Sequence, residues 1–549
     1  MPHGPALTAA LRATMSEVPR TAGAYDALVI GAGAAGGLAA LLLAEAGMRV
    51  LVLEAGLARP PIGPHSLRPL GPAAVDILQR RQPIQSRCYA WILDPEAFVD
   101  DVDCPYITPP GHPFVWVRAR KLGGRMVVPG HGRQYYRLAP DDFACTDGLS
   151  PPWPLRAAEL DPWYAFVERR LGLAGMRDNV PWLPDSELSY VLNPAPAEAA
   201  LQAAIAARWP GARSVLGRFA PPFDALEAAA LTRRLLIRTG AIVREIEVDR
   251  SGHVTGVVWI DQRNRSEERA HAPLVFVCAS ALESTRLLLL SRSARSPDGL
   301  GATSGALGRC LMDHILVIAR GRGPPLAQGA ASRQGNCLYL PRFDARELPK
   351  PLPGRGFSVQ LYQTPARGER SYFNAASFAE MLPRPENRVM LDPKRRDAWG
   401  IPVLCIDCAH SDGELMRARE QIAALRELAD VVGVTLTEID EAPGPPGIAI
   451  HECGTARMGS DPASSVLDPH NQCWEAEGLY VTDGACFPSQ GSQNPTLTIL
   501  ALTARACDHA LRINRPWIPT KGEPVSGLTK SLHLSRFGAS NRLSPSDGQ

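Results

Sequence analysis

The 549-residue chain lacks most of the features that would set it apart from ordinary globular proteins. It has no uninterrupted run of about 18 apolar residues, because Glu45 and Arg49 break the most apolar N-terminal region; this argues against a helix that spans a membrane. It has no block of like charge and no basic stripe, and the net charge is +2, so nothing points to nucleic acid as a partner. Internal repeats and low-complexity tracts are missing. Its twelve cysteines scatter from Cys88 to Cys507 without the dense framework of small secreted domains. The closest pair, Cys405 and Cys408 in LCIDC, has no second CxxC or histidine pair at zinc spacing. No metal site is expected, and the pair reads as structural, on a strand edge. A leader is not evident either: PALTAALRATM is apolar, but no basic segment precedes it and no twin arginine is present. The chain therefore reads as cytoplasmic, with reduced thiols.

What is present suits a large core: 45% of residues are hydrophobic and 21% charged, enough for two to four structural units. Residues 1–24 read as a flexible arm and 25–56 as strand, glycine turn, helix and strand. Residues 59–115 are proline-rich without helical periodicity, which predicts a long surface excursion. Helical spacing recurs at 155–171, 195–208, 281–291, 411–433 and 497–512. Strand-like alternation runs through 234–278, with RSGH as a turn, and proline-punctuated strands follow in 340–410. Residues 520–549 read as a disordered polar tail.

The most specific local pattern is VIGAGAAGG, which places Gly31, Gly33 and Gly36 in GxGxxG spacing after the strand YDALVI and before an alanine- and leucine-rich helix opened by Ala34 and Ala35. Gly31 allows the tight turn, Gly33 lets a pyrophosphate approach the backbone, and Gly36 lets helix and strand pack closely. The helix N-terminus offers free N–H groups and a positive dipole end to phosphate. The next strand, MRVLVLEAG, ends in Glu54 and Ala55, with Glu54 placed to hold a ribose 2′-hydroxyl. Such an acid disfavours a 2′-phosphate; FAD and NAD are not separated by this motif.

The other end of the chain separates them. The segment 450–506, IHECGTARMG…YVTDGACFPSQGSQNPTLTILALTARA, resembles the C-terminal signature of the glucose–methanol–choline (GMC) oxidoreductase family. RARKLGG, VREIEVDRSGHVTGV, VCASALESTRLLLLS and GLGATSGALGRCLMDH fit the same family, in family order. The resemblance implies an α/β fold: a Rossmann-like FAD-binding domain, with a parallel sheet and helices, interleaved with an α+β substrate domain built on an antiparallel sheet. FAD-binding parts are expected at 25–170, 231–320 and 446–515, substrate-domain parts at 171–230 and 321–445, and a tail at 516–549.

The resemblance also implies an enzyme that oxidises the CH–OH group of a sugar, glycoside or other alcohol. Such a reaction needs a group to take the hydroxyl proton while a hydride leaves the carbon for flavin N5. Histidine suits the first task because its pKa lies near neutrality. His451 occupies the family position of that base. Asn494 occupies the partner position, where many relatives have a second histidine; Asn cannot take a proton, so it should orient and donate a hydrogen bond. Asp483 and Gly484 should meet the diphosphate and ribityl region, Pro495 and Thr496 the flavin pyrimidine, and Val243 and Ala279 the adenine half. Gly123 and Gly124 of RARKLGG should also touch the cofactor.

The text after RARKLGG departs from the common pattern. His131 sits later than a covalent flavin attachment would require, so FAD is expected to be non-covalent and His131 to line the flavin edge or a surface loop. His314 in MDH reads as a packing residue that could instead face the substrate. Gln360, Tyr362, Gln363 and Asn374 are candidates for the substrate's polar partners. The C-terminal signature looks most like sugar-oxidising bacterial members, including catalytic subunits of glucoside 3-dehydrogenases and relatives of pyranose oxidase. This implies an electron acceptor, either quinone or a small subunit with a cytochrome, and opens export alongside a partner as an alternative to the cytoplasm. Non-sugar alcohols, or a non-redox lyase reaction, stand as alternative functions.

Overall fold

The computed structural model describes residues 9–16, 25–58, 72–128, 134–146, 148–220, 224–325, 337–348, 356–364 and 370–513. Two sheets organise it. The first is five-stranded and wholly parallel, in the order Leu479–Val481, Val275–Val277, Ala27–Ile30, Val50–Glu54, Leu235–Thr239. Its three central strands, and Leu479–Val481 at one edge, are short apolar runs buried at every position, as expected where helices or other layers cover both faces. The helix Ala34–Glu45 is buried along almost its whole length, between Ala225–Leu231 and the long C-terminal helix Thr496–Ile513. An antiparallel meander, Ala241–Val248, Val254–Asp261 and Glu267–His271, continues from the last parallel strand.

The second sheet has six antiparallel strands in the order Thr435–Ile439, His314–Gly323, Ser371–Glu380, Phe357–Thr364, Leu338–Leu340, Val215–Leu216. One face packs on the helix Asp412–Val431. That helix starts at a capping box, in which Ser411 Oγ accepts from the Glu414 N–H and the Glu414 carboxylate accepts from the Ser411 N–H. Gln421 reaches from it to the Ile315 carbonyl and Ser377 Oγ. Because side chains alternate along a strand, Leu316, Ile318 and Arg320 point to the opposite face, over a cavity. The architecture is thus α/β, a Rossmann-like parallel sheet combined with an antiparallel sheet.

Two expectations change, and the reading of the cysteines holds. Within the supposed flexible arm, Ala9–Ser16 is a helix, and Leu11, only 2% exposed, packs into the main core. The proline-rich 59–115 stretch contains the helix Pro72–Arg81 and, with Trp91, Phe98, Val115 and Val117, builds a second small core instead of a mere surface excursion. The twelve cysteines are all free thiols. Cys405 pairs with Met390 in the two-stranded sheet of Arg388–Arg396 and Pro402–Asp407, and Cys408 follows its end. The tail 520–549 lies outside the described residues. Among the described residues no helix is long and apolar enough to cross a membrane.

Candidate active site

A cavity of about 900 Å³ lies between the C-terminal ends of the parallel strands and the six-stranded sheet, which forms its roof. This is near the upper end for small-molecule and cofactor sites, as a dinucleotide requires. The glycines of the first turn do three different jobs. Gly31 has φ +93°, and a Cβ there would stand 2.4 Å from the Cys278 carbonyl oxygen. A Cβ on Gly36 would come within 1.9 Å of the Gly31 carbonyl, so Gly36 serves helix–strand packing and does not line the cavity. A Cβ on Gly33 would meet no protein atom within 4 Å, so the space before the helix N-terminus is left for a ligand. Ala34 and Ala35 follow it on the cavity wall. Glu54 also lines the cavity; its two carboxylate oxygens accept from the Ala32 and Gly56 N–H groups at 2.8 and 2.6 Å. Burial raises its carboxyl, and those donors oppose the rise.

Ala55, Gly124, Val243, Ala279, Asp483, Gly484, Asn494, Pro495 and Thr496 all border the same cavity. Gly123 does not; it has φ +93° and turns the chain against Val127 instead. His131 lies outside the described residues. Burial lifts the Asp483 carboxyl to about 6, while Ser284 Oγ and the Ala485 N–H donate to it. Thr496–Ile513 begins at the cavity, so the positive end of its dipole faces inward.

At the roof, His451 stands in a chain of hydrogen bonds whose ends fix the protons. His314 Nε2 lies 2.9 Å from the Gly491 carbonyl, which can only accept, so His314 carries its proton on Nε2. Burial holds His314 down at about pH 4, hence neutral, and its Nδ1 is an acceptor. His451 Nδ1, 2.8 Å away, must then be the donor. This leaves His451 Nε2 with a lone pair beside Asn494 Nδ2 at 3.2 Å. The Asn494 amide is oriented in turn: its Oδ1 accepts from Gln360 Nε2 at 2.6 Å, and Gln360 Oε1 accepts from the Tyr362 hydroxyl at 3.0 Å.

The backbone around His451 is held by Asp313, the chain neighbour of His314. Asp313 accepts from the N–H groups of Gly447, Ala449 and His451. Burial and Glu452 raise the Asp313 carboxyl to about 7 against the pull of such bonds. Ile450, just before His451, sits at φ +64°, a conformation that a β-branched residue adopts only at a cost. Gln490 Nε2 donates to the His451 carbonyl at 2.7 Å. The ring of Phe378 lies 5.5 Å from that of His451.

Gln360, Tyr362 and Asn374 border the cavity, but Gln363 does not. Strand alternation turns Gln363 to the far face, where it donates to Ser371 Oγ. The sequence reading underweighted His314, which is 1% exposed yet bonded to His451, and it passed over Asp313 and Gln490. The MDH text was the available signal; nothing in local pattern marks Gln490.

Comparison with known proteins bears on the fold and the reaction class. Residues 383–503 match the family model for GMC oxidoreductases. The 2-methyl-1,2-propanediol dehydrogenase of Mycolicibacterium austroafricanum is 28% identical, over 89% of this chain and 95% of that one. The C-glycoside 3-oxidase of Arthrobacter globiformis is 30% identical over 54% of this chain and 55% of its own. Among solved structures, the formate oxidase of Aspergillus oryzae, whose title concerns FAD modification, superposes with a TM-score of 0.60 at 15% identity, covering 90% of this chain and 99% of that one. The match to the GMC oxidoreductase family model thus lies in the C-terminal segment 383–503, and the longer alignments make the chain similar to a diol dehydrogenase and a glycoside oxidase.

Proposed function

We propose that the protein is an FAD-dependent oxidoreductase that oxidises a CH–OH group of a sugar or glycoside, with His451 as base and Asn494 as its partner. The observation that supports this most is the proton arrangement: Gly491, His314 and His451 leave a single lone pair, on His451 Nε2, next to an oriented amide donor. FAD, when bound, supplies the hydride acceptor at N5. Gly31, Gly33 and Glu54 would hold its ADP half, and Asp483 to Thr496 its flavin half.

His451 Nε2 takes the hydroxyl proton of the substrate as the C–H bond is broken. Asn494 Nδ2 donates to the oxygen as negative charge develops there. When His451 becomes protonated, its Nδ1–H remains bonded to the neutral His314, which spreads the charge without offering a competing base. Phe378 and the Ile448–Ile450 wall keep water from the reacting carbon. The cofactor is proposed to be non-covalent, because His131 falls later in the sequence than the position from which a covalent link would be made.

The test is anaerobic mixing of the yellow protein with hexoses, glycosides and simple alcohols. Bleaching of the flavin absorbance by a glycoside is the expected result. Bleaching by aliphatic alcohols alone would remove the sugar reading, and turnover without bleaching would make the protein a lyase. Repeating the reaction in air while measuring peroxide separates an oxidase from a dehydrogenase. Acid precipitation should release the flavin; colour retained in the pellet would refute non-covalent binding.

A further inference from the structure

The roof of the cavity is graded. Register places Leu316 opposite Phe378, Ile318 opposite Ala376, and Arg320 opposite Asn374 on adjacent strands; on the other side Ala376 faces Gln360 and Asn374 faces Tyr362. All of these border the cavity. The row nearest His451 is apolar, Leu316 and Phe378. The middle row, Ile318, Ala376 and Gln360, holds Asn494 through Gln360. The outer row, Arg320, Asn374 and Tyr362, is polar throughout. Each step along a strand's face is about 7 Å, the span of one sugar ring, so the outer row stands one ring beyond the Gln360–Asn494 contact.

The outer row is equipped to bind hydroxyls. Arg320 gives one N–H to Glu438 at 2.7 Å and keeps further donors. Asn374 is exposed and has no partner among the described residues. The Tyr362 hydroxyl is engaged, donating to Gln360 and bonded to the Cys337 thiol, so within this row the available hydrogen-bonding groups belong to Arg320 and Asn374. The charge of the cavity matters as well. Every carboxylate among the described lining residues is already engaged: Glu54 by backbone N–H groups, Glu283 by Arg286, Glu452 by Arg125 and Asp483 by Ser284. None of these lies on the roof, and the carboxylate beside the outer row, Glu438, is already paired with Arg320.

We propose that Arg320, Asn374 and Tyr362 form a distal subsite for the second ring of a two-ring glycoside, a ring that carries hydroxyls and no ammonium group. The proposal rests on the sugar-oxidising reading of the site. It makes Arg320 and Asn374 specificity residues that hold the far half of the substrate while the reacting carbon sits under Phe378 and Gln360. Because this binding energy is uniform between ground and transition state, it should appear in KM and leave kcat alone.

The experiment compares a methyl hexopyranoside, the corresponding disaccharide, and a disaccharide with an amino group on its second ring, with an artificial electron carrier as acceptor. For the wild type we expect a lower KM for the neutral disaccharide than for the methyl glycoside, and a higher one for the amino sugar than for its neutral counterpart. Arg320→Met and Asn374→Ala should each raise the KM for the disaccharide about tenfold, the worth of one hydrogen bond. Their kcat, flavin content and KM for the methyl glycoside should not change. The Arg320–Glu438 pair is exposed, so its loss should not unfold the protein. If the wild type oxidises the methyl glycoside but gains nothing from the second ring, or if the variants lose equally on both sugars, the subsite is wrong and the oxidation reading stands. If no sugar is oxidised, both fall together.

Discussion

The floor and the roof of the cavity work by different means. The floor, at the ends of the parallel strands, is made of backbone: Gly31 and Gly33 act through the side chains they lack, and Ala34 and Ala35 offer a helix N-terminus. The roof is made of side chains on three antiparallel strands and two loops, with His314, Gln360, Phe378, His451 and Asn494 drawn from chain positions 180 residues apart. The floor can therefore be broken by adding a single carbon, whereas the roof fails only where a particular functional group is removed. This division matches the proposed chemistry. Holding a diphosphate needs many equivalent N–H donors, while moving one proton needs one correctly placed lone pair.

The sharpest way to separate the two is His451→Ala. It should slow flavin reduction by roughly two to four orders of magnitude while leaving flavin content unchanged, measured by stopped-flow absorbance and by flavin-to-protein ratio. Wild-type reduction rates in this variant would move the base elsewhere.

Gly33→Ala attacks the floor in the opposite sense. Its added methyl meets no protein atom within 4 Å, so the thermal midpoint of the flavin-free protein should stay as it is. The methyl nevertheless occupies the place where a diphosphate approaches, so flavin affinity should fall by at least about tenfold, or about 1.4 kcal/mol, in a titration of the apoprotein. Unchanged affinity would mean that Gly33 is not on the phosphate path.

A smaller effect is expected at His314. His314→Leu removes the acceptor that fixes the His451 tautomer, and flavin reduction should slow on the order of tenfold to a hundredfold, as for other partners that orient a functional histidine. His314→Gln, whose amide oxygen can accept from His451 Nδ1, should recover much of that loss. The pH dependence gives an independent reading. His314 has a depressed pKa of about 4 in the fold against 6.5 when free. Below 6.5 the unfolded chain therefore binds a proton that the folded one refuses, and the stability linked to a neutral His314 is complete above 6.5 and lost as pH falls towards 4. The raised carboxyls of Asp142, Asp313 and Asp483 have the opposite slope, but wild type and variant share them. The difference in thermal midpoint between wild type and His314→Leu should thus narrow from pH 7 to pH 4. A constant difference would show that His314 is not held neutral by burial.

The sequence by itself determined the floor. Its glycine spacing, the apolar strands on either side and the terminal Glu54 are contiguous, and the conformations they require are local: a positive φ at Gly31 and a bare helix N-terminus at Gly33. Helix limits at 157–171, 196–208 and 412–431 were legible for the same reason, since periodicity and caps act within a few residues. His451 and Asn494 were legible only through family resemblance, because neither carries a local signature of catalysis. Tertiary structure alone decided the rest. Only the pairing of His314–Gly323 with Ser371–Glu380 and Phe357–Thr364 aligned Arg320, Asn374 and Tyr362 in one row, and turned Gln363 away. Only burial against Gly491 and His451 made His314 a neutral acceptor rather than a packing residue. Proton positions depend on partners brought together across the fold, and register depends on which strand lies alongside which. Neither is set by the order of residues within any single segment.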